Sequence, residues 1–154
     1  MKSMFSTLAV GSALALAMTG TAYAGDYNCK GSLGKQHIDG DVVVRSGTCT
    51  LNGTTVDGNV KVYSGGALVA NNAQVDGDIQ AEKAKSVTVN GGLVNGNIQI
   101  KESGAIRISK ASVDGDIQLF NNRASAKVEN NTVNGNLHQP NPKYTTIPLW
   151  HTQL

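Results

Sequence analysis

The amino-acid sequence predicts an all-β fold, a single-stranded parallel β-helix (β-solenoid) of about six rungs with 18 to 20 residues in each. A five-residue motif recurs six times at near-constant spacing, and apolar and polar residues alternate within each copy and again after it. Only 5% of the residues are aromatic. A core with so few large rings has to be built from many small β-branched residues in a regular stack.

The motif consists of an apolar residue, Asp or Asn, Gly, Asp or Asn, and a second apolar residue. Its copies lie at 38–42, 56–60, 75–79, 94–98, 113–117 and 133–137. Each copy starts 18 to 20 residues after the one before it, which is about the length of one coil of a short solenoid. A period of two is typical of a strand with one buried face. A second alternation follows in each repeat, for example at Val87, Thr88 and Val89. Each repeat therefore holds two predicted strands and their corners, which is the length of one solenoid coil.

A coil of this size cannot bury its apolar face alone, so successive coils are expected to stack with equivalent Val and Ile side chains above one another. The motif glycine either faces inward by alternation or marks a bend of the strand. A competing interpretation makes each Asp-Gly or Asn-Gly a type I′ hairpin turn in an antiparallel sandwich. Because the alternation continues through the glycine without a change of phase, the solenoid is favoured.

The segment 1–24 is predicted to be a secretory signal peptide. Lys2 precedes an Ala/Leu-rich stretch over 4–18, and Ala22-Tyr23-Ala24 fits the small-x-small cleavage pattern. No later segment has the roughly 18 apolar residues needed to cross a bilayer, so no membrane insertion is expected. The product is predicted to be exported, to the periplasm or outside the cell.

Cys29 and Cys49 are the only cysteines. An exported chain meets an oxidising compartment, so a disulfide between them is expected. They lie one repeat length apart, which would place them at equivalent positions of adjacent coils if a partial coil precedes Ile38. The bond would then join the first coil to the second.

The ends of a solenoid need caps because they expose sheet edges and core. We assign 25–37 as an N-terminal cap, 38–139 as the solenoid domain and 140–154 as a C-terminal cap or tail. Pro140 and Pro142 end the repeat, since proline removes a ladder donor. The tail then carries several large apolar residues, among them Trp150. It is interpreted as a cap over the last coil, with a docking segment or disorder as the alternatives.

The residues flanking each motif glycine are all acidic or amide, and they are predicted to point outward. The second flanking position alternates strictly between Asp and Asn, which would keep like charges apart. The next outward position carries Val43, Lys61, then three glutamines and His138. Together these positions suggest a polar strip that could hydrogen-bond sugars, with solubility as the plain alternative. The candidate ligand-binding residues are Asp57, Asp76, Asp78, Gln80, Asn97, Gln99, Asp116 and Gln118.

Three aspartates of the first flanking position, Asp39, Asp57 and Asp76, are expected in succession on the stack. Carboxylate oxygens are ligands of Ca²⁺, so this trio is a candidate calcium site. The glycine-rich nonapeptide pattern of calcium-binding β-rolls is absent. A solvated ladder of turn-favouring residues is the competing interpretation, and we assign no metal or other cofactor.

The sequence contains no catalytic signature. The three histidines are not at metal-ligand spacing, and no nucleophile elbow, phosphate loop or His-Glu-x-x-His segment occurs. After removal of Lys2, 12 basic residues stand against 11 acidic ones, which gives no electrostatic reason to expect nucleic acid as a partner. We therefore expect no enzyme.

The recurring Val/Ile-x-Gly-x-Ile/Val-x-Ala/Ile pattern over 38–139 resembles the bactofilin family of polymer-forming β-helical proteins. The resemblance implies a β-helix that can join end to end into filaments. The signal peptide and the disulfide depart from that family, which is chiefly cytoplasmic. The expectation is an exported, non-enzymatic structural or interaction protein that forms a homo-oligomer or filament by end stacking. The alternative is a carbohydrate-binding module for surface polysaccharide.

Overall fold

A computed structural model describes residues 25–140 and 145–146, and this part of the chain forms a parallel β-solenoid. The chain winds through three sheets, A, B and C, always in that order. Every strand pairs in parallel with the equivalent strand one coil away, which confirms the predicted solenoid and rules out hairpins. No helix among the described residues has the length and apolar character to cross a membrane.

The strands are short, and each sheet takes one strand from each coil. Sheet A contains β1 (Tyr27–Asn28), β4 (Val42–Val44), β7 (Val60–Val62), β10 (Ile79–Glu82), β13 (Ile98–Lys101), β16 (Ile117–Phe120) and β19 (Leu137–His138). Sheet B contains β2 (Gly31–Leu33), β5 (Gly47–Asn52), β8 (Gly66–Asn71), β11 (Ser86–Asn90), β14 (Ala105–Ser109), β17 (Ala126–Glu129) and β20 (Thr145–Thr146). Sheet C contains β3 (His37–Ile38), β6 (Thr55–Val56), β9 (Gln74–Val75), β12 (Leu93–Val94), β15 (Ser112–Val113) and β18 (Thr132–Val133).

The core consists of continuous columns of inward side chains, as the alternation predicted. Val75, Val94 and Val113 pair directly along sheet C and are buried. The first inward column of sheet A is Val42, Val60, Ile79, Ile98 and Ile117, all at most 1% exposed. Sheet B adds one column that begins at Cys49 and one that begins at Leu33 and continues through Leu51. Because each residue meets its equivalents above and below, small aliphatic side chains fill the core without large rings.

Each coil holds three strands, whereas the sequence predicted two. The repeated motif is therefore not one strand: Val56 ends a strand of sheet C, Val60 begins a strand of sheet A, and the residues between them form the corner. The motif glycine lies at this bend and is half-buried. Of the two interpretations left open for the glycine, the bend is confirmed.

The motif corner requires glycine because the coils stack backbone against backbone there. The N–H of Gly77 donates to the carbonyl oxygen of Gly58 (3.1 Å), and the same bond links Gly96 to Gly77 and Gly115 to Gly96. A Cβ placed on Gly77 would lie 2.7 Å from the Gly58 carbonyl oxygen. No side chain fits at that separation, so the glycine column is a steric consequence of the stacking.

The segment predicted as an N-terminal cap forms a short coil of its own, strands β1 to β3. Tyr27 pairs with Val42 across sheet A, which places Gly25 and Asp26 beneath Gly40 and Asp41. Gly25-Asp26-Tyr27 is thus a further, truncated copy of the motif. The sequence pattern missed it because Gly25 precedes Gly40 by less than a full repeat, and no apolar residue opens the copy.

The two cysteines form the predicted disulfide, with their Cα atoms 5.5 Å apart. The predicted equivalence of their positions is wrong. Cys29 continues β1, since its N–H donates to the Val43 carbonyl oxygen, and it belongs to the sheet A column of Val44. Cys49 heads the inward column of sheet B. The bond therefore crosses the core from sheet A of the short first coil to sheet B of the next.

The predicted signal peptide, 1–24, and most of the predicted tail, 140–154, lie outside the described residues. The exceptions in the tail are Pro140 and β20, and β20 pairs with β17 and adds a further strand to sheet B.

Candidate functional site: the motif corner and the sheet A face

The residues that follow the motif glycines form a hydrogen-bonded ladder between coils, which we call the corner ladder. In each step the side-chain Oδ1 of one coil accepts the backbone N–H of the equivalent residue in the next coil, at 2.7 to 2.9 Å. The corner ladder runs through Asp41, Asn59, Asp78, Asn97, Asp116 and Asn136. These side chains therefore bind the protein's own backbone.

The alternation of Asp and Asn in the corner ladder follows from the same geometry. Where Asn stands above Asp, the amide group of Asn also donates to the Oδ1 of that Asp, at 3.2 Å from Asn59 to Asp41 and from Asn97 to Asp78. An aspartate in place of Asn97 would have no N–H to offer and would put a carboxylate beside the one below. The alternation thus supplies donors as well as spacing the charges.

Hydrogen bonds to the corner ladder lower the pKa of two of its carboxyl groups. The backbone N–H of Asn136 is the main cause for Asp116, with a contribution from the Gln118 side chain. The pKa of Asp41 is lowered first by the backbone N–H of Asn59 and then by Lys61, whose Nζ lies 2.5 Å from its Oδ2. Asp41 in turn raises the pKa of Lys61. Both carboxylates are therefore held in their charged form.

The residues that precede the glycines form a second, exposed column with looser contacts. Asn95 donates to Asp76 (2.7 Å), and Nε2 of His37 lies 2.8 Å from Oδ2 of Asp57. Among the residues that the structure describes, no group of three or more His, Cys, Asp or Glu side chains is arranged to hold a metal ion. The aspartates considered for calcium, Asp39, Asp57 and Asp76, all lie in this exposed column.

The three glutamines of the predicted strip share one column on the outer face of sheet A. Gln80 pairs in register with Gln99, and Gln99 with Gln118. The amides of Gln80 and Gln118 donate to the corner-ladder aspartates of their own coils, at 3.2 and 3.3 Å. Two positions before Gln99 the corner ladder has Asn97 in place of an aspartate. The Gln99 amide makes no hydrogen bond within the described part of the chain. Gln99 is consequently the glutamine whose donors and acceptor remain open.

A shallow groove of about 170 Å³ surrounds this open amide. The polar residues that line it are Lys61, Tyr63, Gln80, Glu82, Gln99 and Lys101. Tyr63 is 42% exposed, and the guanidinium of Arg45 lies 5.2 Å from the centre of its ring. The outer column to which Tyr63, Glu82 and Lys101 belong was not predicted from the sequence. The alternation could have predicted it, because each of these residues lies two positions after a residue of the strip and so points to the same face.

The two ends of the strip differ from its middle. Val43 was predicted to point outward, yet it is 1% exposed and lies outside the main apolar cluster. Lys61 stands directly above Val43 in register and reaches down to Asp41, so its aliphatic stem covers Val43. At the other end His138 packs against Phe120, with ring centroids 5.2 Å apart.

The predicted strip therefore divides into three columns with different environments. Asp57 and Asp76 lie in the exposed column before the bend. Asp78, Asn97 and Asp116 belong to the corner ladder and are occupied by inter-coil hydrogen bonds. The glutamine column and the groove beside it are the part of the strip that faces outward with an open amide.

Comparisons with known proteins add no relative. No protein-family model matches the chain. A search of curated proteins and a search of solved structures each found no match.

Proposed function

We propose that this chain is an exported, non-enzymatic structural protein that self-associates end to end, as the bactofilin-like repeat pattern suggests. The observation that supports it is the unbroken register of the coils. Sheets A and B continue from the first described coil to the last with the same parallel pairing. The strand edges at one end of the stack are therefore of the same kind as the edges that each coil pairs with its neighbour inside the molecule.

Export is supported by two independent features of the chain. The segment 1–24 has the pattern of a secretory signal peptide. The Cys29–Cys49 disulfide fits a compartment that is not reducing. Mass spectrometry of protein purified from its exported fraction is expected to find this link, and two free thiols there would contradict the proposal.

Self-association is tested by sedimentation velocity over a wide concentration range on exported protein, with electron microscopy of the concentrated sample. We expect species that grow with concentration. Leu137→Lys places a charge at the last described apolar position of sheet A and should abolish growth. Gln99→Lys places the same charge on the lateral face and should leave growth unchanged. A wild-type protein that stays monomeric at the highest concentration would refute self-association.

A second candidate function is recognition of a hydroxyl-rich polysaccharide along sheet A. The open amide of Gln99 beside the exposed Tyr63 ring favours it, since amides bind hydroxyl groups and aromatic faces pack on sugar rings. A glycan array on wild type, Gln99→Ala and Tyr63→Ala tests this function, with Thr88→Ala on sheet B as the control. Binding that survives both sheet A substitutions would remove the groove from consideration.

A further inference from the structure

The corner ladder is directional, and we infer from it that the chain stacks head to tail, with the Asn136 side chain of one copy accepting the Asp26 backbone N–H of the next. This inference rests on the proposed self-association and specifies its geometry. In all five steps from Asp41 to Asn136, the side-chain oxygen belongs to the coil nearer the N-terminus and the N–H to the coil that follows. A stack can continue this pattern in one orientation only.

The last residue of the corner ladder and the residue beneath its first carry the complementary groups of one further step. Asn136 donates its backbone N–H and amide group to Asp116, while its Oδ1 accepts no hydrogen bond within the described residues. Asp26 occupies the corresponding position under Asp41, and its N–H has no described acceptor. Placing Asn136 below Asp26 would set an uncharged amide, and not a further carboxylate, beside Asp26.

The apolar column of sheet A ends in the same complementary way. Tyr27 stands in the register of Val42 at the N-terminal end, yet it is 40% exposed because no described coil lies beneath it. Leu137 stands in the register of Ile117 at the other end and is only partly buried. Head-to-tail stacking sets Tyr27 on Leu137 and so continues the column.

Charge separates this orientation from its alternatives. The corner at the N-terminal end is acidic, with Asp26, Asp39, Asp41 and Asp57 around one open depression. The corresponding corner at the C-terminal end presents amides, Asn134 and Asn136, beside His138. Two N-terminal ends in contact would oppose these carboxylates, whereas head-to-tail contact places uncharged amide side chains next to them. Two C-terminal ends would oppose one open Asn136 oxygen to another.

Cross-linking tests the orientation directly. Exported chain carrying His138→p-benzoylphenylalanine on β19 is mixed with isotopically labelled wild-type chain at an associating concentration, irradiated and digested. Register predicts cross-links from position 138 to residues 25–30 of the other copy. Cross-links to residues 132–140 of the other copy would overturn the inference while leaving self-association intact. The absence of inter-chain cross-links in an associated sample would also overturn it.

A matched pair of variants tests the hydrogen bond. Asn136→Ala removes the open acceptor and should weaken association about five-fold, the effect of one net hydrogen bond. Asn95→Ala removes an exposed amide from the middle of the stack, outside the corner ladder and away from both ends, and it should leave association unchanged. Equal effects of the two variants would refute the role of Asn136. Wild-type protein that remains monomeric would instead refute the proposed function itself.

Discussion

Two corners of the solenoid differ in how strictly the sequence repeats. The motif corner between sheets C and A has the same length in all six copies, and its glycines and corner-ladder side chains bond directly to the next coil. The corner between sheets A and B varies: it is one residue shorter between Val44 and Gly47 and one longer between Phe120 and Ala126. All differences in spacing among the motif copies arise there. The motif corner, where glycine backbones stack directly, therefore keeps its length. The corner between sheets A and B changes length even though Ser103 and Asn122 also bond across coils there.

The largest expected effect comes from inserting one residue into each kind of corner. An Ala inserted between Asp78 and Ile79 shifts β10 by one position, which turns Gln80 toward the core and Ile79 outward. We expect a loss of about 4 kcal/mol or more in the free energy of unfolding, or failure to fold. An Ala inserted between Arg123 and Ala124 lengthens a corner that already carries an insertion, and it should cost below about 1 kcal/mol.

Urea unfolding of both insertion variants, followed by circular dichroism, measures this difference. Similar losses for the two variants would show that the corners are equally constrained, which would contradict the comparison.

The glycine of the motif corner provides the next test. Gly96→Ala puts a Cβ 2.6 Å from the carbonyl oxygen of Gly77, so adjacent coils must separate locally, at an expected cost of about 3 kcal/mol. Gly34 lies in the first coil with no atom within 4 Å of an added Cβ. Gly34→Ala should change stability by less than about 1 kcal/mol. Equal melting temperatures for the two variants would refute the steric explanation of the glycine column.

Substituting the two asparagines that flank Gly96 tests the difference between the corner ladder and the exposed column. Asn97→Ala removes the acceptor of the Asp116 N–H and a donor to Asp78, and leaving that half-buried N–H unpaired should cost about 2 kcal/mol. Asn95→Ala removes one exposed hydrogen bond to Asp76 and should cost less than about 0.5 kcal/mol. Chemical denaturation gives both values, and an Asn95 variant as unstable as the Asn97 variant would contradict the assignment.

The sequence was sufficient to predict the solenoid because its signals are local. Alternation of period two and a constant spacing together require stacked inward columns such as Val75, Val94 and Val113. The third strand could not be predicted, since Gln74–Val75 is too short to show an alternation. The two polar columns could not be distinguished either. Asn95 and Asn97 have the same chemistry, and only the stacking of coils shows that the second one binds backbone.

The smallest expected effect is a dependence on acid through Asp116. The Asn136 N–H and the Gln118 amide lower the pKa of Asp116 from its ordinary value of 3.8. A carboxyl whose pKa is lower in the folded state stabilises the fold above its unfolded pKa, and this contribution is lost as the pH falls through the folded value. Unfolding monitored from pH 7 to below 3.8 should therefore show stability falling at the acid end.

Asp116→Asn retains an Oδ1 acceptor for Asn136 and should make this acid loss smaller. Asp114→Asn removes the same charge from the exposed column, two residues away, and is the control for net charge. If both variants reduce the acid loss equally, the effect belongs to overall charge and not to the corner ladder. A smaller acid loss in Asp116→Asn alone would show that the carboxylate at this corner stabilises the stack through the N–H that it binds.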